Sequence, residues 1–279
     1  MPGTDAPRSD DVPPRYLDTT KASIARVYDA ALGGKDNYKA DREVVRRLTQ
    51  VAPERRQLAW DNRHFLIRVT RFLAGAAGIT QFLDCGSGLP TAENTHQAAQ
   101  RIQPDARVVY VDNDPVVLAH GRALLEENDQ VHFSAADIFK PRQVIEDEII
   151  CKFLDFSEPI ALFQISTLHH YDGERSPQSI MAEYVDALTP GSYVALTHFW
   201  DPETSELSEL ARKMEQAMLH SPMGSGWFRT RAEIEDMFPG LELVEPGLVL
   251  CADWWPDGPR LTSLAPAQRC ILGAVGRKP

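Results

Sequence analysis

The chain has 279 residues, 43% of them apolar, which is enough for one large α/β domain with a sizeable core. Its formal net charge of −11, with no long basic run, argues against tight generic nucleic-acid binding. There is no apolar run of membrane length and no signal-peptide pattern, and Cys85, Cys151, Cys251 and Cys270 have no C-x-x-C spacing. Reduced thiols in a cytoplasmic protein are therefore expected.

Residues 1–18, rich in Pro, Asp and Arg, read as a mobile tail. Over 20–32, Ile24, Val27, Tyr28, Ala31 and Leu32 recur at helical spacing, and Gly33-Gly34 ends the helix. A polar loop leads to a second helix over 41–51, with Val44, Val45, Leu48 and Val51 on one side. A longer helix over 54–74 turns Leu58, Phe65, Leu66, Val69, Phe72 and Leu73 inward. Strands and helices then alternate. Strands are expected at 80–84, 107–112, 130–134, 159–166 and 192–199, and helices at 91–101, 115–126, 141–150, 177–188 and 203–219. Asp114-Pro115 starts a helix with an N-cap and a first-turn proline, and Thr230 with Glu233 has capping-box spacing for a helix over 231–238. Two last strands, 241–250 and 269–275, are joined without an evident helix. The alternation implies a parallel sheet covered on both faces, and the final connection implies one antiparallel strand.

The strand ends carry the chemistry. The first strand runs into Asp84-Cys85-Gly86-Ser87-Gly88, and the second ends in Asp112 about two dozen residues later. Strand, glycine turn, helix and acid-tipped strand form a nucleotide-binding half-fold, in which Asp112 can accept from ribose hydroxyls. A dinucleotide fold would carry a third glycine where Thr91 stands. Asp84 beside the turn would repel pyrophosphate but could pair with a cationic amino group. A ligand with a ribose, a positive charge and no phosphate fits better, and S-adenosylmethionine answers that description.

Here the chain resembles the class I methyltransferases. More closely it resembles an actinobacterial S-adenosylmethionine-dependent family long listed as a domain of unknown function. The resemblance rests on Ser23-Ile24-Ala25-Arg26-Val27-Tyr28-Asp29, on Leu32-Gly33-Gly34-Lys35-Asp36-Asn37-Tyr38, on the turn from Asp84 to Thr91, and on Val111-Asp112-Asn113-Asp114-Pro115. It implies a Rossmann-like, seven-stranded sheet, mostly parallel with one antiparallel strand, and a helical lid. The expected division is a tail over 1–18, a lid over 19–53 and a methyltransferase domain over 54–279.

The resemblance also implies site residues. Asp84, Gly86 and Gly88 would meet the methionine part of S-adenosylmethionine, Asp112 the ribose, and Asn113, Asp137 and Ile138 the adenine. Gln164 and Ser166 would line the pocket, with Tyr28, Gly34 and Asn37 facing it from the lid. His169, His170 and His198 are candidates for a general base near neutral pH or for substrate contact. Trp200, Trp227, Trp254 and Trp255 could wall the acceptor, although aromatic residues more often belong to a core. Arg26 and Lys35 could bind an acidic acceptor, but solvated surface charge is the better reading. The histidine pair lacks a third ligand at metal spacing, so no metal is expected. The leading reading is a methyltransferase acting on a small molecule, at an O, N or C nucleophile, with the oligomeric state left open. The rivals are a non-catalytic cofactor-binding protein and, ranked lower, a nicotinamide-dependent oxidoreductase.

Overall fold

A computed structural model describes residues 18–90, 93–124 and 128–279. Apart from Asp18, the expected tail lies outside the described residues, as do the expected helix start at 91–92 and helix end at 125–126. Three helices come first: α1 (Ile24–Leu32), α2 (Lys39–Val51) and α3 (Arg55–Gly75). The alternating part holds β1 (Gln81–Cys85), α4 (Thr95–Gln100), β2 (Arg107–Val111), α5 (Pro115–Leu124), β3 (Val131–Ser134), α6 (Pro141–Ile145), α7 (Glu148–Phe153), β4 (Ala161–Ile165), α8 (Pro177–Ala187) and β5 (Tyr193–Phe199). The chain closes with α9 (Ser205–Leu219), α10 (Arg231–Glu235), β6 (Glu242–Leu243), β7 (Val249–Leu250) and β8 (Ile271–Arg277).

The strand order is β3-β2-β1-β4-β5-β8-β6, with β7 also paired to β8. β1 to β5 are mutually parallel, and β8 runs antiparallel to β5, β6 and β7. Side chains alternate across the sheet. Phe82, Val108, Tyr110, Phe163 and Ala195 face Phe65, Val69 and Leu73 of α3. Leu83, Val109, Leu162, Val194 and Leu196 face Ile150, Ile180, Met181 and Tyr184 of α7 and α8. Both faces are dry, which is why β1 to β5 read as nearly continuous apolar runs.

The sheet therefore has eight strands, not seven. The single strand expected over 241–250 is two short ones, because Pro246 has no N–H for a ladder and the Gly247 N–H closes a turn onto Val244 O. The helix expected over 141–150 is also two, since the Asp147 carboxylate caps a new start at the N–H groups of Ile149 and Ile150. Asp114 does accept from Val116 N–H ahead of Pro115, and Thr230 and Glu233 form their capping box.

The inward face of α1 differs from its apolar stripe. Ile24 is exposed, whereas Arg26 and Asp29 are buried. Arg26 is not surface charge. Its Nε lies 3.5 Å from Asp41 Oδ1, and the Asp41 carboxylate also accepts from the N–H groups of Ser23 and Tyr38. This buried ion pair joins α1 to α2, beside the apolar contact of Val27 with Val44 and Val45.

Candidate functional site

The parallel strands end on one edge, and the turn after β1 is built onto the end of β2. Gly86 N–H and Ser87 N–H both donate to Val111 O, and Gly88 N–H donates to Asp112 Oδ2 at 3.0 Å. Asp112 Oδ1 accepts from Asp114 N–H at 2.9 Å. Gly86 has a φ of 74°, and a Cβ there would lie 2.4 Å from Thr167 Cγ2 and 3.1 Å from Ile138 Cδ1. Only glycine fits where the ends of β1, β3 and β4 converge.

Burial pushes the Asp112 carboxyl up to about 6, against the hydrogen bonds from Asp114 and Gly88. Burial also raises Asp84, whose Oδ2 accepts from Thr95 Oγ1 at 2.6 Å, while nearby Arg63 opposes the shift. Asn113 is exposed on the lip. Asp137 caps a turn at Phe139 N–H and pairs with Lys140 at 3.1 Å, so its carboxylate is partly committed. Ile138 O accepts from Tyr184 Oη.

Beyond β4 the backbone turns sharply at Ser166, a non-glycine residue with a φ of 59°. Such a conformation costs energy and clusters at functional sites. Gln164 Oε1 accepts from Thr167 Oγ1 at 2.5 Å. Gln164 Nε2 and Ser87 Oγ are buried without a hydrogen-bond partner among the described residues.

The three histidines come together, but as packed neutral rings. His169 stacks on Phe199 with ring centroids 3.7 Å apart, and its Nδ1 accepts from Phe199 N–H at 3.3 Å. Burial holds it well below the usual range. His198 is fully buried: Phe199 O lies 2.7 Å from Nδ1 and Arg229 donates to Nε2 at 2.6 Å. Burial, then the Arg229 charge, lowers it to about 3. Both ring nitrogens of His198 are thus engaged. His170 is half-buried, bonded at Nδ1 to Ser225 Oγ, and lowered by burial to about 3. Bases whose conjugate acids are this strong are poor proton acceptors at neutral pH. Of the aromatic candidates, Trp254 lies in the core against Phe65 and Phe72, with Trp255 stacked on it. Among the described residues no metal-binding group is found.

The start of α1 lies beside the end of β2 and the start of α5. Ser23 Oγ meets the Asp114 carboxylate, and Ala25 packs on Leu89, Val116 and Val117. Tyr28 Oη donates to Ala59 O at 3.1 Å and accepts from Asn62 Nδ2 at 2.9 Å. Asn37 donates to Asp29 Oδ2 and Gly34 O, and a Cβ on Gly34 would lie 1.9 Å from Asp29 Oδ1. Gly34 and Asn37 also line a 300 Å³ cleft with Arg42 and Arg55, and a 470 Å³ cleft lies between α2 and α9.

Sequence reasoning missed Asn62 and Thr197. Asn62 falls at the i, i+3 and i+4 spacing of Leu58, Phe65 and Leu66, and a polar residue on an apolar stripe was the available signal. Of the segment around 221–229 it singled out only Trp227. That segment packs Met223 against Val27, Val44 and Val45 and reaches the histidine turn through Ser225 and Trp227. No local pattern announces that contact.

The edge suits S-adenosylmethionine. Among the described residues Asp112 accepts from Gly88 N–H on one oxygen and from Asp114 N–H on the other, and a carboxylate has about four acceptor positions. Buried acids and unpartnered polar atoms face the same edge, whereas the amides of Gly86, Ser87 and Gly88 are already spent and have none to offer a pyrophosphate.

Residues 10–279 match the family described as S-adenosyl methyltransferase. A candidate methyltransferase from Thermobifida fusca YX is 43% identical, with 95% of this chain and 98% of that chain covered and a TM-score of 0.89. A DUF574 family protein from Streptomyces avermitilis MA-4680 is 35% identical, with 94% and 99% covered and a TM-score of 0.87. No protein of curated function matches the chain. No helix among the described residues is long and apolar enough to cross a membrane. The chain belongs to the S-adenosyl methyltransferase family and is an S-adenosylmethionine-dependent methyltransferase.

Proposed function

We propose that the protein methylates a small molecule held between the strand ends and a lid formed by residues 19–53, with residues 54–279 as the methyltransferase domain. The observation that carries this reading is the joining of Gly88 to Asp112 with α1 packed beside them. Bound S-adenosylmethionine supplies a methyl group already activated by its sulfonium. Asp112 accepts from the ribose hydroxyls through its free acceptor positions, and Asp84 favours the cationic end. Gly86 permits the close approach of Thr167, and Gln164 and Ser87 offer polar atoms to the ligand. Asn113, Asp137 and Ile138 border the adenine, while Ser166 shapes the floor. Tyr28, Gly34 and Asn37 belong to the lid, which excludes water and aligns the acceptor.

His169, His170 and His198 act by packing the acceptor wall rather than as general bases, in keeping with their lowered pKa values. Alignment of an O, N or C nucleophile is then the main catalytic contribution. A small acceptor is supported by the net charge of −11, which disfavours a polyanion, and by the packing of α1 beside the end of β2.

The test is methyl transfer from labelled S-adenosylmethionine to panels of small O, N and C nucleophiles, with RNA, DNA and protein as parallel acceptors. Label appearing in a macromolecule and in no small molecule would sink the proposal. Calorimetry on deletions tests the lid. Removing 1–18 should leave affinity for S-adenosylhomocysteine unchanged, and removing 1–40 should abolish it.

A further inference from the structure

We propose that Asn62 is a positioning residue that couples the lid helix α1 to the floor of the cofactor site at the end of β4. The proposal rests on the reading of α1 as a cofactor-side lid. Asn62 lies on α3, is buried, and is bonded on both sides of its amide. Its Nδ2 donates to Tyr28 Oη at 2.9 Å, and its Oδ1 accepts from Thr197 Oγ1 at 2.6 Å.

Every group on this path has a hydrogen-bond partner. Ser166 N–H donates to Thr197 Oγ1 at 2.9 Å, and the single hydroxyl hydrogen of Thr197 goes to Asn62. Tyr28 likewise spends its one hydroxyl hydrogen on Ala59 O. With the Asn62 amide reversed, the Tyr28 hydroxyl would have to leave Ala59 O for the Asn62 carbonyl, and the Thr197 hydroxyl would turn to Ser166 Oγ, 3.3 Å away. In either sense the path of hydrogen bonds runs unbroken from α1 through α3 to β5 and the end of β4.

Its far end is a sensitive place. Ser166 holds its left-handed backbone with its N–H tied to Thr197, and the next residue, Thr167, presses against Gly86. A shift of Tyr28 would draw on Asn62, and a displaced Asn62 amide would free Thr197 and the Ser166 N–H. Buried hydrogen bonds are costly to leave unmade, so the two ends settle together. The consequence is that the lid position and the shape of the floor are selected as one state.

Calorimetry with S-adenosylhomocysteine on Tyr28→Phe, Thr197→Val and the double variant tests this, alongside hydrogen exchange of the α1 amides with and without the ligand. Each single variant should weaken binding by about fivefold, the scale of one neutral hydrogen bond, and the double variant should be scarcely worse than either. In an Asn62→Ala background the same two changes should have no further effect, and ligand should no longer protect α1 from exchange. Loss of packing alone would lower affinity without erasing that ligand-dependent protection. If Asn62→Ala does not fold, Tyr28→Phe, which keeps its ring, carries the test. The single changes multiplying independently would overturn the coupling, as would α1 protection persisting in Asn62→Ala or, failing its folding, in Tyr28→Phe. Absence of ligand-dependent protection in the wild-type protein would instead overturn the lid, which separates the two failures.

Discussion

The backbone N–H of Gly88 donates to Asp112 Oδ2, so the turn that follows β1 is held by the acid that ends β2. The residue proposed to take the ribose thus also fixes the glycine turn beside it. Asp112→Ala should weaken S-adenosylhomocysteine binding by about 1.5–3 kcal/mol, the scale of hydrogen bonds to a charged group, with the fold retained. Calorimetry checks it, and unchanged affinity would mean that the ribose is held elsewhere.

The same carboxylate makes binding pH-dependent. Its pKa in the free protein is raised to about 6, and ribose donors favour its ionised form. Affinity should therefore be full well above pH 6 and decline as pH falls through that value. Titrations at pH 5 and pH 8 should differ less in Asp112→Ala than in the wild type, Asp84 accounting for what remains.

Two of the histidines set a condition of the same direction, on stability. His170 and His198 fall to about 3 in the folded chain against about 6.5 when unfolded. Between those values the unfolded chain binds more protons, so their effect is that stability rises with pH through the window and is lost on acidification. Asp112, raised to about 6, acts in the reverse sense between about 4 and 6. Replacing His198 by Leu should flatten the fall in urea-unfolding free energy from pH 7 to pH 4. An unchanged slope would count against a neutral buried His198.

Asp41 secures α1 to α2 through Arg26 and two backbone N–H groups. Asp41→Ala leaves the Arg26 guanidinium buried without its counter-charge and should cost about 3 kcal/mol. Denaturant unfolding measures the loss, and a loss below about 1 kcal/mol, the scale of an exposed pair, would show that the pair is solvated.

Gly86→Ala should be damaging in two ways. The left-handed backbone costs about 1–3 kcal/mol for a residue with a Cβ, and that Cβ would meet Thr167. Cofactor affinity should fall further than stability does, because the displaced Thr167 lies at the floor. Equal affinity in the variant and the wild type would remove Gly86 from the site.

The order of elements, the antiparallel last strand and the acids at the strand ends were legible in the chain. Strand runs such as Phe82-Leu83 and Val108-Val109 are apolar on both faces because both faces are covered, and Gly86 and Asp112 are local chain features that announce turns and tips. The break between β6 and β7 was also written locally, in Pro246, but a decapeptide of mixed polarity reads as one strand until its partner β8 is in place. Three things needed the tertiary structure. The histidines resemble bases in one dimension, and only packing against Phe199 and Arg229 makes them neutral. Arg26 looks like surface charge until Asp41 arrives from the next helix. Asn62 is one polar residue on an apolar stripe until Tyr28 and Thr197, 34 residues before it and 135 after it, come within hydrogen-bond reach. Periodicity and turn chemistry act over a few residues and are readable in sequence. Burial and hydrogen-bond partners depend on which distant segments meet, and the fold alone decides that.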